Sequence, residues 1–158
     1  TRYRHLLVLR SFTKFFSLPG LRIGYLIADK KLIRKISCFQ PTWSVNSLAQ
    51  EVIRNGLLDT AFIKKTTDYI IKEKHFLLDR LKEIKEIYPY YPAANFILCK
   101  ILDEKFNSGY LSDCLIKHGI LIRDCSNFKG LDNRFFRVAV KKRKENSYLA
   151  SCLKRVFK

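Results

Sequence analysis

The apolar positions of this chain form short continuous runs and helical repeats, separated by polar loops. The continuous run at residues 6–9 predicts a buried strand of a parallel sheet. Residues 25–28 predict a second strand. Asp29 then follows as the N-cap of a helix whose apolar side chains are Leu32, Ile33, Ile36 and Phe39.

A longer helical region separates two parts of the chain. Residues 40–43 contain a proline and end the first helix, and residues 44–50 begin another. Apolar residues then recur at spacings of seven, seven, four and three, at Ile63, Ile70, Leu77, Leu81 and Ile84. This spacing predicts a long amphipathic helix, of the kind that connects two subdomains.

The remainder, from Pro89 onward, predicts a small layer of strands and helices. One helix carries Leu111, Cys114 and Leu115 and is closed by Gly119, and the last helix carries Leu149, Leu153 and Val156. Strands are predicted at residues 95–101, 120–123 and 135–140. This order is typical of an α/β or α+β layer. The predicted organisation is therefore residues 1–60, a connecting helix at 61–88 and a small domain at 89–158.

The chain is strongly basic, which raises the question of nucleic-acid binding. Its 158 residues include 31 lysines and arginines against 14 acidic residues, for a formal net charge of +17. The lysines are scattered over predicted helix faces, and the densest cluster, residues 141–144, is short. We therefore favour a solvated basic surface that attracts small anionic substrates over a nucleic-acid-binding surface.

Neither a membrane segment nor a cysteine framework is predicted. No apolar run has the length of a membrane span. The five cysteines are an odd number and include no C-x-x-C pair, which argues against a disulfide framework and against a zinc site. Such cysteine usage is typical of a reducing compartment, so we expect a cytoplasmic protein with no bound metal.

Candidate chemistry is concentrated directly after the first predicted strand. Ser11, Thr13 and Lys14 are followed by a Pro-Gly turn and by Arg22. A lysine amine forms Schiff bases with aldehyde cofactors, and hydroxyls with a guanidinium are suitable ligands for a phosphate monoester. Taken alone, a lysine in so basic a chain is more simply a solvated charge. The combination in one loop favours a site for a phosphorylated aldehyde cofactor.

Two further arginines occur in the second part of the chain. Arg123 ends a predicted strand and opens a polar loop at residues 124–131 that contains Asn127. Arg137 lies inside an apolar strand, where a guanidinium needs a partner or an anionic ligand to offset its desolvation. From the residues alone, either arginine is also compatible with an ordinary surface charge.

The segment SFTKFFSLPGLRIGY, residues 11–25, resembles the lysine segment of the aspartate-aminotransferase superfamily of fold-type I pyridoxal phosphate enzymes. Its pattern there is S-x-[ST]-K followed by G-x-R-x-G-[YF]. The resemblance implies that Lys14 forms the Schiff base with pyridoxal 5'-phosphate, and that Ser11, Thr13 and Arg22 hold the cofactor phosphate. It also implies an α/β fold, with the end of the large-domain sheet in residues 1–60 and the small C-terminal α/β domain in residues 89–158.

Elements elsewhere narrow this resemblance. The segments PTWSVNSLAQ and IRDCSNF, residues 41–50 and 122–128, are similar to threonine-phosphate decarboxylases of cobalamin biosynthesis and to the related histidinol-phosphate aminotransferases. Trp43 and the arginine-containing loop favour the decarboxylases. The resemblance implies that Arg123 binds the substrate phosphate and Arg137 the substrate carboxylate, and it places Asn127 in the substrate site.

The resemblance further implies a reaction and a partner. A decarboxylase of this kind converts O-phosphothreonine to aminopropanol phosphate. The alternatives are transamination of histidinol phosphate and, outside the family, a non-enzymatic basic binding module. We expect a homodimer that acts on a small phosphorylated amino acid or amino alcohol and binds neither nucleic acid nor a membrane. Because the chain has no Met and starts just before a core strand, we expect it to be part of a longer polypeptide.

Overall fold

A computed structural model describes residues 3–157 of the chain. The chain divides into two compact units, one that ends at Ile63 and one that begins at Lys64. The division into residues 1–60, 61–88 and 89–158 stays a prediction. In chain order, the strands and helices are β1 (Leu7–Ser11), β2 (Gly24–Ala28), α1 (Lys30–Ser37), α2 (Ser47–Leu58), α3 (Thr60–Lys82), β3 (Ile87–Pro89), β4 (Phe96–Ile101), α4 (Ser108–Ile116), β5 (Arg123–Asp124), β6 (Phe135–Ala139) and α5 (Arg143–Val156).

The first unit contains one antiparallel pair of strands. In this pair, Leu7 lies opposite Ala28 and Ser11 opposite Gly24. The prediction of a buried strand of a parallel sheet at residues 6–9 is therefore wrong. The loop after β1 reverses the chain direction, so β2 runs antiparallel to β1. The two strands alone leave most of their side chains uncovered, and Leu9 is 75% exposed.

Two helices of the first unit begin at side-chain caps. Asp29 caps α1, as predicted, because its Oδ1 accepts a hydrogen bond from the Lys31 backbone N–H at 2.9 Å. Asn46 caps α2 in the same way, accepting from the Ala49 N–H at 2.8 Å. The prediction that Phe39 belongs to the apolar face of α1 is wrong, because the helix ends before it and the side chain is 87% exposed.

The core of the first unit is small. Four side chains are buried together, namely Phe12 and Ile23 at the two ends of the β1–β2 loop and Ala49 and Ile53 on α2. The loop that carries the candidate lysine is therefore fixed at its ends by apolar packing against one helix.

The second unit contains a four-stranded sheet in the order β3-β4-β6-β5, with every neighbouring pair antiparallel. Strand β3 was not predicted. The strand predicted at residues 120–123 is wrong over residues 120–122, because only Arg123 and Asp124 pair with β6. Gly119, with φ +69°, turns the chain after α4, and the following segment leaves Leu121 81% exposed.

The sheet of the second unit has one buried face and one open face. On β4 and β6 buried side chains alternate with more exposed ones, as expected for strands covered on one side. The buried side chains pack with residues of α3, α4 and α5 into a core that includes Leu77, Leu81, Leu111, Ile97, Phe136 and Leu153. The predicted long amphipathic helix is confirmed as α3, and its buried Leu77 and Leu81 belong to this core, but the prediction is wrong for Ile84, because the helix ends at Lys82.

A buried carboxylate joins α3 to α5. Glu73 is 2% exposed and accepts hydrogen bonds from Arg143 Nε at 3.0 Å and Nη2 at 2.9 Å, and from Asn146 Nδ2 at 3.1 Å. Hydrogen bonds and charge from Arg143 lower the pKa of Glu73 from its ordinary value against the opposing effect of burial. Arg143, in the densest basic cluster of the sequence, therefore stabilises the fold. Among the described residues, no helix is long and apolar enough to cross a membrane.

Candidate functional site

The loop between β1 and β2 is closed by backbone hydrogen bonds. The Phe12 N–H donates to Ile23 O at 3.2 Å, and the Leu18 N–H donates to Thr13 O at 3.0 Å. Ser17 and Arg22 have positive φ values of 54° and 50°, an uncommon conformation for residues other than glycine. The loop is thus folded by its own backbone hydrogen bonds, and Lys14 lies near its start, three residues after the end of β1.

The hydroxyls of Ser11, the last residue of β1, and of Thr13 in the loop lie together. Ser11 Oγ lies 2.8 Å from Thr13 Oγ1 and accepts a hydrogen bond from the Thr13 N–H at 3.2 Å. Two adjacent hydroxyls beside a backbone N–H are suitable ligands for phosphate oxygens. The sequence predicted both residues for one site, and their geometry suits it.

Arg22 and Lys14 supply the charge of this loop. Arg22 Nη1 donates to Pro19 O at 3.0 Å, which ties the guanidinium to its own turn while leaving other N–H groups free to bind an anion. Both side chains are exposed. Among residues 3–157, the Lys14 amine has no ion pair within 4.0 Å, so no carboxylate of these residues neutralises its charge.

Gly24 is required where β2 begins. A Cβ at this position would lie 2.5 Å from the backbone oxygen of Arg10, a distance that side chains do not adopt. The glycine of the G-x-R-x-G pattern therefore allows β1 and β2 to approach at the end of the strand where Ser11 lies. Gly24 therefore has a structural cause independent of any cofactor, whereas a Cβ at Gly20, the other glycine of the pattern, would meet no atom within 4 Å.

The second group of predicted residues lies on the open face of the sheet in the second unit. Arg123 on β5 is directly opposite Arg137 on β6, so both side chains leave the sheet on the same face. Like charges in such a pair repel each other. No carboxylate of residues 3–157 lies within ion-pair distance of either guanidinium. An anion between the two would therefore offset their repulsion.

Each of these arginines lies over an aromatic ring. Arg137 Cζ is 4.4 Å from the centre of the Phe96 ring, and Arg123 Cζ is 5.3 Å from the centre of the Phe128 ring. Arg123 Nη2 also donates to Asn127 Oδ1 at 3.0 Å. The structure thus brings the three predicted substrate residues of this unit into one neighbourhood and adds two rings that the sequence analysis did not select.

The loop that carries Asn127 is ordered by Asp124. Its Oδ1 accepts from the Ser126 N–H at 2.8 Å and lies 2.8 Å from the buried hydroxyl of Ser108. These hydrogen bonds, with that of Ser126 the largest, lower the pKa of the Asp124 carboxyl from its ordinary value. Burial raises the pKa of the neighbouring Cys125 thiol, and the charges of Arg137 and then Arg123 oppose that rise.

The sequence analysis did not select Phe96, because no pattern in the sequence places its ring beside Arg137. It is the first residue of β4, and nothing in its own segment indicates that β4 and β6 pair with Phe96 opposite Ala139. Metal binding gained no support either: no group of three or more potential metal ligands occurs among the residues that the structure describes.

Comparison with known proteins identifies similar chains of two activities. The chain is 39% identical over 99% of its length to a protein of Caldanaerobacter subterraneus provisionally named a threonine-phosphate decarboxylase, of which it covers 42%. It is 35% identical over 98% of its length to a histidinol-phosphate aminotransferase of Methanococcus aeolicus, again covering 42%. The chain thus spans about two fifths of the length of the curated relatives it matches.

Solved structures are similar over the same extent. A histidinol-phosphate aminotransferase from Clostridium acetobutylicum matches with a TM-score of 0.93 and 38% identity, over 98% of this chain and 46% of that one. A histidinol-phosphate aminotransferase from Sinorhizobium meliloti, in complex with pyridoxal-5'-phosphate, has a TM-score of 0.84 at 21% identity over 97% of this chain and 41% of that one, a likeness of fold alone. The expected α/β fold of the fold-type I transferases is confirmed. Residues 1–153 match the family model described as aminotransferase class I and II, so the chain belongs to this family.

Proposed function

We propose that the full-length protein is a pyridoxal 5'-phosphate-dependent enzyme that decarboxylates L-threonine O-3-phosphate to aminopropanol phosphate. The observation that carries the substrate class is the pair Arg123–Arg137, two cations directly opposite each other on an open sheet face. A substrate with both a phosphate and a carboxylate offers one anion to each guanidinium. We further propose that the enzyme is a cytoplasmic homodimer.

The cofactor part of the proposal depends on the β1–β2 loop. Ser11 and Thr13 offer hydroxyls 2.8 Å apart, and Arg22 offers a guanidinium, which together suit a phosphate monoester. Lys14 offers an exposed amine that can join covalently to an aldehyde. Bound pyridoxal phosphate supplies an electron sink for the bond that breaks at the substrate α-carbon.

In the substrate part of the proposal, Arg123 binds the phosphate and Arg137 orients the carboxylate. Asn127 accepts a hydrogen bond from Arg123 and keeps one edge of that guanidinium occupied, so the remaining N–H groups are presented to the ligand. Decarboxylation would break the bond between the substrate α-carbon and the carboxylate that Arg137 binds and would release carbon dioxide, whereas transamination would begin with removal of the α-hydrogen as a proton. The orientation imposed through Arg137 therefore decides which reaction occurs.

The second candidate function is transamination of histidinol phosphate. It is favoured by the TM-score of 0.93 and 38% identity to the Clostridium acetobutylicum aminotransferase. Histidinol phosphate has no carboxylate, so both arginines would share its phosphate. The arginine pair is compatible with either ligand.

The cofactor assignment is tested by reduction with borohydride. The full-length protein, incubated with pyridoxal 5'-phosphate, is expected to absorb visible light and, after reduction, to carry the cofactor on the peptide that contains Lys14. The matched control is Lys30→Ala, an exposed lysine of α1 whose replacement should leave the labelling unchanged. A colourless protein, or label on another lysine, would contradict the assignment.

The reaction is tested by one pair of incubations of the same protein. With L-threonine O-3-phosphate we expect release of carbon dioxide, and with histidinol phosphate and 2-oxoglutarate we expect no glutamate. Glutamate without carbon dioxide would replace the decarboxylase by the aminotransferase and leave the cofactor assignment intact.

A further inference from the structure

We propose that Phe96 is a positioning residue that holds the Arg137 guanidinium flat on the sheet, with its N–H edge available to the substrate anion. This inference rests on the proposed function, in which Arg137 binds an anionic group of the substrate. It adds a residue that acts on the ligand through Arg137.

The register places Phe96 beside Arg137 and not opposite to it. Phe96 pairs with Ala139, and Leu98, two residues further along β4, pairs with Arg137. Residues two apart on a strand share a face, so the Phe96 ring reaches Arg137 diagonally across the two strands. The guanidinium carbon lies 4.4 Å from the centre of the ring, well inside the range of cation–π attraction.

An aromatic ring can fix a guanidinium without consuming its hydrogen-bond donors. A planar guanidinium stacks on the ring through its face, while its N–H groups lie at its edge and point elsewhere. A carboxylate in the same place would occupy two of those donors and would compete with the ligand. The ring therefore restrains the orientation of the Arg137 guanidinium and leaves its N–H groups available to a ligand.

The two arginines of the pair are held unequally. Arg123 has a hydrogen bond to Asn127 and lies over Phe128 at 5.3 Å. Within residues 3–157, the guanidinium of Arg137 has the Phe96 ring and neither an ion pair nor a hydrogen bond to a side chain. Since Arg123 repels it from directly across the strands, Arg137 depends on the ring for its orientation.

A purely structural role explains Phe96 less well. The side chain is 36% exposed and lies on the open face, away from the core formed by Ile97, Cys99 and Phe136. Its replacement should therefore disturb the packing little, and a change in ligand affinity can be separated from unfolding.

The test is a double-mutant cycle between Phe96 and Arg137 in the full-length protein without pyridoxal 5'-phosphate, so that the ligand is not converted, with binding of L-threonine O-3-phosphate measured by calorimetry. Phe96→Leu is expected to weaken binding about two- to fivefold, the range of an exposed cation–π contact. Phe96→Tyr, which keeps the ring, should restore wild-type affinity. In an Arg137→Ala background, where no guanidinium remains to be positioned, Phe96→Leu should change affinity less than about twofold. The matched control is Phe135→Leu, because Phe135 lies two residues from Arg137 on the same strand.

A second readout does not need a substrate. In the NMR spectrum of the free protein, the side-chain protons of Arg137 should be shifted upfield by the Phe96 ring, and Phe96→Leu should remove that shift. The inference is overturned if the shift is absent, or if Phe96→Leu weakens binding equally with and without Arg137. If Arg137→Ala weakens binding and Phe96→Leu does not, only the positioning role is wrong. If Arg137→Ala itself leaves binding unchanged, the proposed substrate site is wrong, whatever the spectrum shows.

Discussion

The two units of this chain differ in how many side chains each buries in its own core. Among residues 3–157, the first unit buries four core side chains beside an exposed two-stranded sheet, whereas the second buries seventeen between a four-stranded sheet and three helices. The first unit nevertheless contains the lysine loop, which carries the more specific sequence motif. The motif with the candidate lysine therefore lies in the first unit, whereas the larger packed core lies in the second.

The exposed apolar residues of the first unit sharpen this difference. Leu9 and Leu26 belong to continuous apolar runs, yet Leu9 is 75% exposed in the antiparallel pair. In the second unit, apolar residues of β4 and β6 alternate between the two faces, and the inward ones are buried. A continuous apolar run is typical of a strand covered on both faces, whereas a strand with alternating apolar residues buries all of them once one face is covered.

The largest expected effect is on the core of the second unit. Phe136→Ala should lower the free energy of unfolding of the 158-residue chain by about 3–5 kcal/mol, because Phe136 is fully buried and its removal leaves a cavity. Leu9→Ala should change it by less than about 0.5 kcal/mol. Urea denaturation followed by circular dichroism measures both. An equal loss of unfolding free energy in the two variants would contradict the conclusion that the second unit has the larger core.

A smaller effect is expected at the ion pair between the buried Glu73 carboxylate and Arg143, whose side chain is 45% exposed. Glu73→Gln should cost about 1.5–3 kcal/mol at pH 7, because Arg143 and Asn146 lose hydrogen bonds to a charged group. The pKa of Glu73 is lowered in the folded protein, so its contribution is fully present above the unfolded value of about 4.3 and is lost as the pH falls through the folded value. Urea denaturation at pH 7 and at pH 3 should therefore show a difference between wild type and variant that shrinks in acid.

The matched control for this pair is Glu104→Gln. Glu104 lies 3.8 Å from Arg134 with its side chain 89% exposed, so its replacement should change stability by less than about 1 kcal/mol. A loss at Glu104 equal to that at Glu73 would show that burial does not set the strength of these contacts.

The smallest of these effects is expected on ligand affinity, with a different ligand affected in each unit. In the full-length protein, Arg22→Ala should weaken binding of pyridoxal 5'-phosphate about ten- to a hundredfold and Arg123→Ala should weaken binding of L-threonine O-3-phosphate by a similar factor, since each removes charge-assisted hydrogen bonds. Each variant should leave the other ligand's affinity nearly unchanged. Calorimetric titration measures both, with the exposed Arg54→Ala as control. Loss of both affinities in either variant would contradict the separation.

The sequence by itself determined the elements whose cause is local. Asp29 is an N-cap because its carboxylate lies next to free backbone N–H groups, and α3 is helical because its apolar residues recur on one face. The lysine loop was recognised for the same reason, since Ser11, Thr13, Lys14 and Arg22 are close along the chain and their types suit one kind of ligand.

Only the tertiary structure decided the features that depend on which strands pair. The pairing of β1 with β2, the short extent of β5, and the placement of Arg123 opposite Arg137 each follow from the register between two strands. The Phe96 ring beneath Arg137 and the Glu73 carboxylate beneath Arg143 join residues 41 and 70 positions apart. A single sequence carries periodicity and local chemistry, but the register between strands is set by the packing of the whole core, and no local pattern encodes it.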